Sequence, residues 1–262
     1  MSEKLKNPTH PLVLGLSHIY GETADLDAQA VFWQARGMRL DFNWRLPIPR
    51  EKHQTLLYDQ GTSFVDLSYL SFEKPVVCPG VEFVRHQPVT TQLARKANPS
   101  ITLVRHGSTP ENIVDADGNR MILYPDANAS ATVVALTGSA EASGNLLGFL
   151  GFRKIDLERK EIDALVEYFP GVEAGWFLRL PLFPNLAARI ILVEDKTRHM
   201  NPRIDEIGWS GLSFLVRSLD GIEPFLPLKA RQKITANDGV AREIAFYNDR
   251  GLLLEFLEFS AK

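Results

Sequence analysis

A carboxylate set inside an apolar strand constrains this chain more than any other feature. Residues Asn248-Asp249-Arg250-Gly251 are turn chemistry, because Asn, Asp and Gly tolerate the dihedrals of a tight reversal. The run Leu252-Leu253-Leu254-Glu255-Phe256-Leu257-Glu258-Phe259 that follows is of strand length. A strand points alternate side chains to opposite faces, so Glu255 shares a face with Leu253, Leu257 and Phe259. Burying an unpaired carboxylate is costly, so Glu255 calls for a metal, an Arg or a proton, unless its face borders an open cavity. Glu258, nearer the chain end, reads as solvated. The turn recurs at Asp115-Ala116-Asp117-Gly118-Asn119-Arg120, before Met121-Ile122-Leu123-Tyr124-Pro125, but Ile122 stands where the acid would be.

Taken in order, the chain repeats one pattern. Leu12 to Tyr20 reads as a strand, and Asp25 caps a helix that Gly37 stops. Strands follow at Met38 to Leu46, Gln54 to Tyr58 and Ser63 to Leu70. A weaker unit runs from Val81 to Tyr124: a strand at Val81 to His86, a helix at Thr91 to Lys96, then strands at Ile101 to Arg105 and Arg120 to Tyr124. After the small-residue break Asp126 to Ser130 the order restarts with a strand at Thr132 to Leu136 and a helix from Ser139 or Glu141 to Phe152. Strands at Ala164 to Phe169, Trp176 to Leu180 and Arg189 to Val193 complete that unit. The fourth starts at Gly211 to Val216, continues through a Pro-interrupted helix at Gly221 to Leu228, and ends in strands at Glu243 to Tyr247 and Leu252 to Phe259. The expected architecture is α+β, four βαβββ modules in two halves, 1–127 and 128–262.

Composition narrows the function classes. The chain has 262 residues, net charge -3 and a single cysteine, Cys78. That leaves no electrostatic reason to bind nucleic acid or acidic membrane, no internal disulfide and no Cys-rich zinc site. No apolar run approaches the roughly 20 residues of a membrane helix, and no signal-peptide core follows the first residues, so a soluble cytoplasmic protein is the expectation. There is no Walker-type phosphate loop, Rossmann fingerprint or nucleophile elbow.

Several short motifs in this order carry a resemblance: Ser17-His18-Ile19-Tyr20, Phe32-Trp33-Gln34-Ala35-Arg36-Gly37-Met38, Asp115 to Asn119, Gly148-Phe149-Leu150-Gly151-Phe152, and Asn248 to Phe259. Together they resemble the vicinal oxygen chelate superfamily, which includes glyoxalase I, extradiol dioxygenases, epimerases and fosfomycin- or bleomycin-resistance proteins. The resemblance implies paired modules folded into cupped mixed sheets whose concave side holds a divalent metal, with ligands on the first and last strands of paired modules. Pairing of modules one and four would then join His18, Asp66 and Glu255 as metal ligands, with Glu255 or Asp66 as the base. Modules two and three show Ile122, Thr132 and Ile191 or Leu192 at the matching places. Gly211 or Ser213 stands where the fourth module would carry a histidine. One imidazole and two carboxylates suit Fe, Mn, Ni, Co or Zn.

The resemblance thus implies a metal-dependent isomerase, epimerase or lyase acting on a small oxygen-rich or carbonyl substrate. Two alternatives stay open: an extradiol dioxygenase with altered ligands, and a metal-free protein that sequesters a small molecule. Pairing of modules one and two would instead recruit Glu82 or His86. The cups would form within one chain or across a homodimer. For each residue a plainer role stands beside the functional one: His18 satisfied by a carbonyl, Asp66 paired with an Arg or Ser17, and Arg198, His199 and Arg203 in a solvated loop.

Overall fold

In the computed structural model, residues 13–47, 64–72, 80–87, 96–125, 132–169, 174–178, 188–196, 206–225, 232–235, 241–247 and 253–259 are described. The first module opens with β1 (Val13–Glu22), turns at Thr23 and enters α1 (Leu26–Gln34). Asp25 caps that helix, its carboxylate accepting from the Ala28 N–H, and Gly37 leaves it at φ +84°, a left-handed conformation that glycine adopts without a side-chain clash. β2 (Met38–Pro47), β3 (Phe64–Phe72) and β4 (Gly80–Gln87) complete the module. After the short β5 (Lys96–Ala97), the second module has β6 (Ile101–His106), β7 (Glu111–Val114) and β8 (Arg120–Tyr124). The third has β9 (Thr132–Thr137), α2 (Ala140–Phe149), β10 (Arg153–Asp156), α3 (Arg159–Val166), β11 (Ala174–Leu178) and β12 (Ala188–Glu194). The fourth has β13 (Glu206–Val216), α4 (Leu219–Ile222) with a 3-10 turn after it, β14 (Gln232–Thr235), β15 (Ala241–Tyr247) and β16 (Leu253–Phe259).

The modules pair one with four and two with three. The larger sheet runs β14-β15-β16-β13-β1-β4-β3-β2, and the smaller β10-β11-β12-β9-β6-β8-β7. Within each module the first strand lies parallel to the last, β1 with β4, β13 with β16, β9 with β12 and β6 with β8, while first strands of paired modules meet antiparallel. This is the α+β architecture of cupped mixed sheets.

Several boundaries move. Val81 to His86 belongs to β4, the closing strand of module one, not the opening of module two, because it lies parallel to β1 and antiparallel to β3. Module two has no helix between β6 and β7, which are linked by Gly107 to Pro110. Lys96 lies in β5; the rest of the helix expected at Thr91 to Lys96, the strand expected at Gln54 to Tyr58 and the break near residue 128 lie outside the described residues. Ala164 to Phe169 forms the last residues of α3 and the turn after it rather than a strand: Ile162, Leu165 and Phe169 recur at helical spacing and pack on the inner face of the smaller sheet.

One apolar core joins the sheets through their helix-bearing faces. Trp33 of α1 stacks on Trp209 of β13 at 4.9 Å, and Phe152 meets Phe214 edge-on at 5.8 Å. Gly21 admits Trp209, since a Cβ there would stand 2.7 Å from its Cδ1. The Asp115 to Asn119 turn is a clasp across this junction. Asp115 Oδ1 accepts from the backbone N–H groups of Asp117 and Asn119, and its Oδ2 accepts from Trp33 Nε1 at 3.0 Å and Asn119 Nδ2 at 2.8 Å. Gln29 Nε2 donates to Asp117, and the Trp209 N–H donates to Asn119 Oδ1. Among the described residues no helix is long and apolar enough to cross a membrane.

Candidate functional site

The site lies on the face of the larger sheet opposite α1. Ile19 pairs with Leu212 where the two first strands meet, with His18 opposite Ser213 on one side and Tyr20 opposite Gly211 on the other. The two modules are therefore related about the Ile19–Leu212 pair, so that His18 corresponds to Gly211 and Tyr20 to Ser213. On the closing strands Glu82 lies opposite Tyr20, and Glu255 lies opposite Ser213. Glu82 and Glu255 thus occupy equivalent places. Each sits in the same short pattern, Val81-Glu82-Phe83-Val84 and Leu254-Glu255-Phe256-Leu257, with the phenylalanine fully buried on the other face.

His18 and Glu255 meet directly, His18 Nε2 standing 3.2 Å from Glu255 Oε2, with both side chains buried. Ser17 Oγ lies 3.2 Å from His18 Nδ1 and sets the other side of the ring. Burial pulls the imidazole's proton affinity down, but the hydrogen bond with Glu255 and the charges of Glu82 and Glu255 outweigh it, and the net shift is upward. Burial pushes Glu82 up to about 7; His18 opposes that shift and the Glu255 carboxylate reinforces it. The Ser213 hydroxyl, in the row between His18 and Glu255, is fully buried and has no hydrogen-bond partner among the described residues.

Asp66 does not join these groups. It lies opposite Arg85 on β4, three residues from Glu82 and therefore on the other face of the sheet. There Arg45 holds it by two hydrogen bonds, Nε at 2.6 Å and Nη2 at 3.2 Å, and Arg85 adds a third at 3.0 Å. The Arg45 hydrogen bond, with Arg85 behind it, holds its carboxyl below the usual range against the opposing effect of burial. The plainer role, an ion pair with arginine, is what its surroundings provide. Glu82 takes the place on module one's closing strand that the sequence assigned to Asp66, and the shared apolar-Glu-Phe-apolar pattern is the signal that points to it. The Arg198, His199 and Arg203 loop lies outside the described residues.

In kind, one imidazole and two carboxylates, Glu255 buried and Glu82 half-buried, suit a divalent cation, whose charge would oppose the desolvation and the Glu255 repulsion that raise Glu82. In spacing the set is not closed, for among the described residues no three His, Cys, Asp or Glu side chains stand close enough together to hold an ion. The 3.2 Å between His18 Nε2 and Glu255 Oε2 is a separation that two ligands of one ion can keep, so closing the set calls for a third donor to approach them. The fourth place is shut, because a Cβ on Gly211 would lie 2.9 Å from Leu253 Cδ2. The equivalent region of the smaller sheet is apolar: Ile122, Ile191, Val104 and Val134 pack there against Leu165 and Phe169.

No protein-family model matches the chain, and no curated protein matches it in sequence. Solved structures do. Glyoxalase I from Zea mays superposes with a TM-score of 0.57 at 12% identity, covering 93% of this chain and 92% of that one. A V278E mutant of the same enzyme gives 0.55 at 14% identity, with 93% and 92% covered. A putative dioxygenase from Bacillus subtilis subsp. subtilis str. 168 gives 0.52 at 8% identity, covering 96% of this chain and 87% of that one. With paired modules and parallel first and last strands in each, the chain has the fold of these glyoxalase I and dioxygenase structures.

Proposed function

We propose that this protein is a divalent-metal-dependent isomerase, epimerase or lyase acting on a small oxygen-rich or carbonyl substrate in the cup of the larger sheet. The observation that carries this is the placement of Glu82 and Glu255 at equivalent positions around the buried His18, with Glu255 buried, Glu82 half-buried and the three electrostatically linked. His18 and Glu255 would hold the ion, with Glu82 as the third donor of the set. When bound, a divalent cation supplies Lewis-acid polarisation of substrate oxygens.

The chain's own groups account for proton movement. Glu82 accepts a proton from the carbon next to a carbonyl and returns it to the opposite face or to the neighbouring carbon. The first return gives an epimer and the second an isomer. The electron pair left by the departing proton moves onto the carbonyl oxygen, where the Ser213 hydroxyl donates a hydrogen bond.

A second reading, a metal-free binding protein, draws on the spacing of the donors and on Leu253 closing the fourth place. Solvent deuterium exchange separates the two. The metal-replete protein in D2O is expected to exchange the proton next to the carbonyl of at least one member of a panel of small 2-hydroxy and 2-oxo compounds, read by proton NMR. Glu82→Gln is expected to slow that exchange by about 100-fold or more. Binding of panel members without exchange in any of them would favour the metal-free reading.

A further inference from the structure

A continuous line of aromatic rings runs along the face that carries His18. Trp44 and Phe42 are two residues apart on β2 and stack at 4.4 Å between centroids, 23° from parallel. Phe42 lies opposite Tyr69 on β3, and their rings stack at 5.2 Å and 10°. Tyr69 lies opposite Glu82, and its ring meets the His18 imidazole at 5.7 Å in an edge-to-face contact. Exposure falls along the line: Trp44 is 56% exposed, Phe42 and Tyr69 are half-buried, and His18 is 5% exposed.

Near-parallel rings on neighbouring strands form a flat apolar wall, and an indole left in water at its outer end is surface that a flat ligand can cover. The inner end is polar, with an imidazole, two carboxylates and the Ser213 hydroxyl. Such a wall and such an end together recognise a molecule that is planar and apolar at one end and oxygen-bearing at the other.

We propose that Trp44, Phe42 and Tyr69 form the platform for an aromatic ring of the substrate, whose oxygens reach the His18–Glu255–Ser213 row. The substrate class is an aryl-substituted 2-oxo or 2-hydroxy compound, and Trp44 and Phe42 are specificity-determining residues. This rests on the functional reading of the cup given above. Tyr69 also positions His18 through its edge contact, so Trp44 is the cleaner place to test the platform.

The test uses two probes that share one polar head, phenylglyoxylate and pyruvate, titrated calorimetrically into the full-length, metal-replete protein and its variants. A ring stacked on the wall is expected to make phenylglyoxylate bind about ten-fold tighter than pyruvate. Trp44→Ala is expected to cut that ratio to about three-fold or less while leaving pyruvate unchanged, and Trp44→Phe to keep most of it. His18→Ala is expected to weaken both probes together. Equal affinities for the two probes, no measurable binding of phenylglyoxylate, or a preference untouched by Trp44→Ala would overturn the platform. A preference that depends on Trp44 but ignores His18→Ala would support the platform and overturn the functional reading of the cup instead.

Discussion

Glu82 and Glu255 stand at equivalent positions on the closing strands of the first and last modules, one opposite Tyr20 and the other opposite Ser213, with the Ile19–Leu212 pair between them. Residues far apart in sequence thereby reach one buried cup, and only one of the two carboxylates has the His18 ring in direct contact. That asymmetry lets one acid pair with the imidazole while the other is held near neutrality.

The first prediction concerns pH. Glu82 has a folded-state affinity for its proton raised from 4.5 to about 7, and His18 is raised as well. For a raised group, stability is complete below the unfolded pKa and is lost as pH rises through the folded one. The metal-free protein should therefore lose thermal stability between about pH 4.5 and about pH 7. Glu82→Gln should flatten that decline. Thermal unfolding in the presence of a chelator across this range measures it, and an unchanged slope in Glu82→Gln would count against the burial of this acid.

Asp66→Asn tests the separation between the two faces of the sheet. Its charge is held by Arg45, which is 61% exposed, and Arg85, so solvent screening keeps the expected loss of stability to about 1 kcal/mol. Because the native carboxyl is held low, its contribution is present above the unfolded value of 3.8 and disappears as pH falls through the lower, folded one. Metal content and turnover should be unaffected. A loss of metal in Asp66→Asn would return this residue to the cup.

The clasp formed by Asp115 is expected to matter for folding and not for chemistry. Both of its oxygens accept two hydrogen bonds, so Asp115→Asn turns a donor toward donors and should cost about 2 kcal/mol in denaturant unfolding. A loss below a few tenths would contradict the network.

Gly211 is expected to resist any side chain. Gly211→Ala would press its Cβ on Leu253 and should destabilise by about 1 kcal/mol, with Leu253→Ala in the same chain relieving part of it. Gly211→His combined with Leu253→Ala would add a second imidazole to the cup and should tighten divalent-metal binding. Equilibrium dialysis against zinc compares the double variant with the wild type.

The modular order was legible because strand, cap and apolar alternation recur locally. Asp25, Ser139 and Ser218 cap the helices of the first, third and fourth modules in the same way. His18 and Glu255 were legible for the same reason, each a polar residue on an otherwise apolar strand face. The assignment of Asp66 to the closing strand of module one failed because strand length and alternation do not say which strand lies parallel to β1. The Pro-rich stretch before Gly80 made β4 look like a new beginning. Its partner is decided by pairing across more than 60 residues of chain, Ile19 with Val81, which no local window contains. α3 was misread because Val166, Tyr168 and Phe169 favour strands, while burial of Leu165 and Phe169 against Ile191 and Val193 settles the segment as helix and turn.

The most direct test of the shared cup is metal content. Elemental mass spectrometry on protein purified without a metal-affinity tag, and again after supplementation with Fe(II), Mn, Co, Ni and Zn, would be run beside His18→Ala, Glu82→Gln and Glu255→Gln. The account predicts near-stoichiometric divalent metal in the wild type and its loss in His18→Ala and Glu255→Gln, with weakened retention in Glu82→Gln. No metal in the supplemented wild type, or full retention in all three variants, would contradict it.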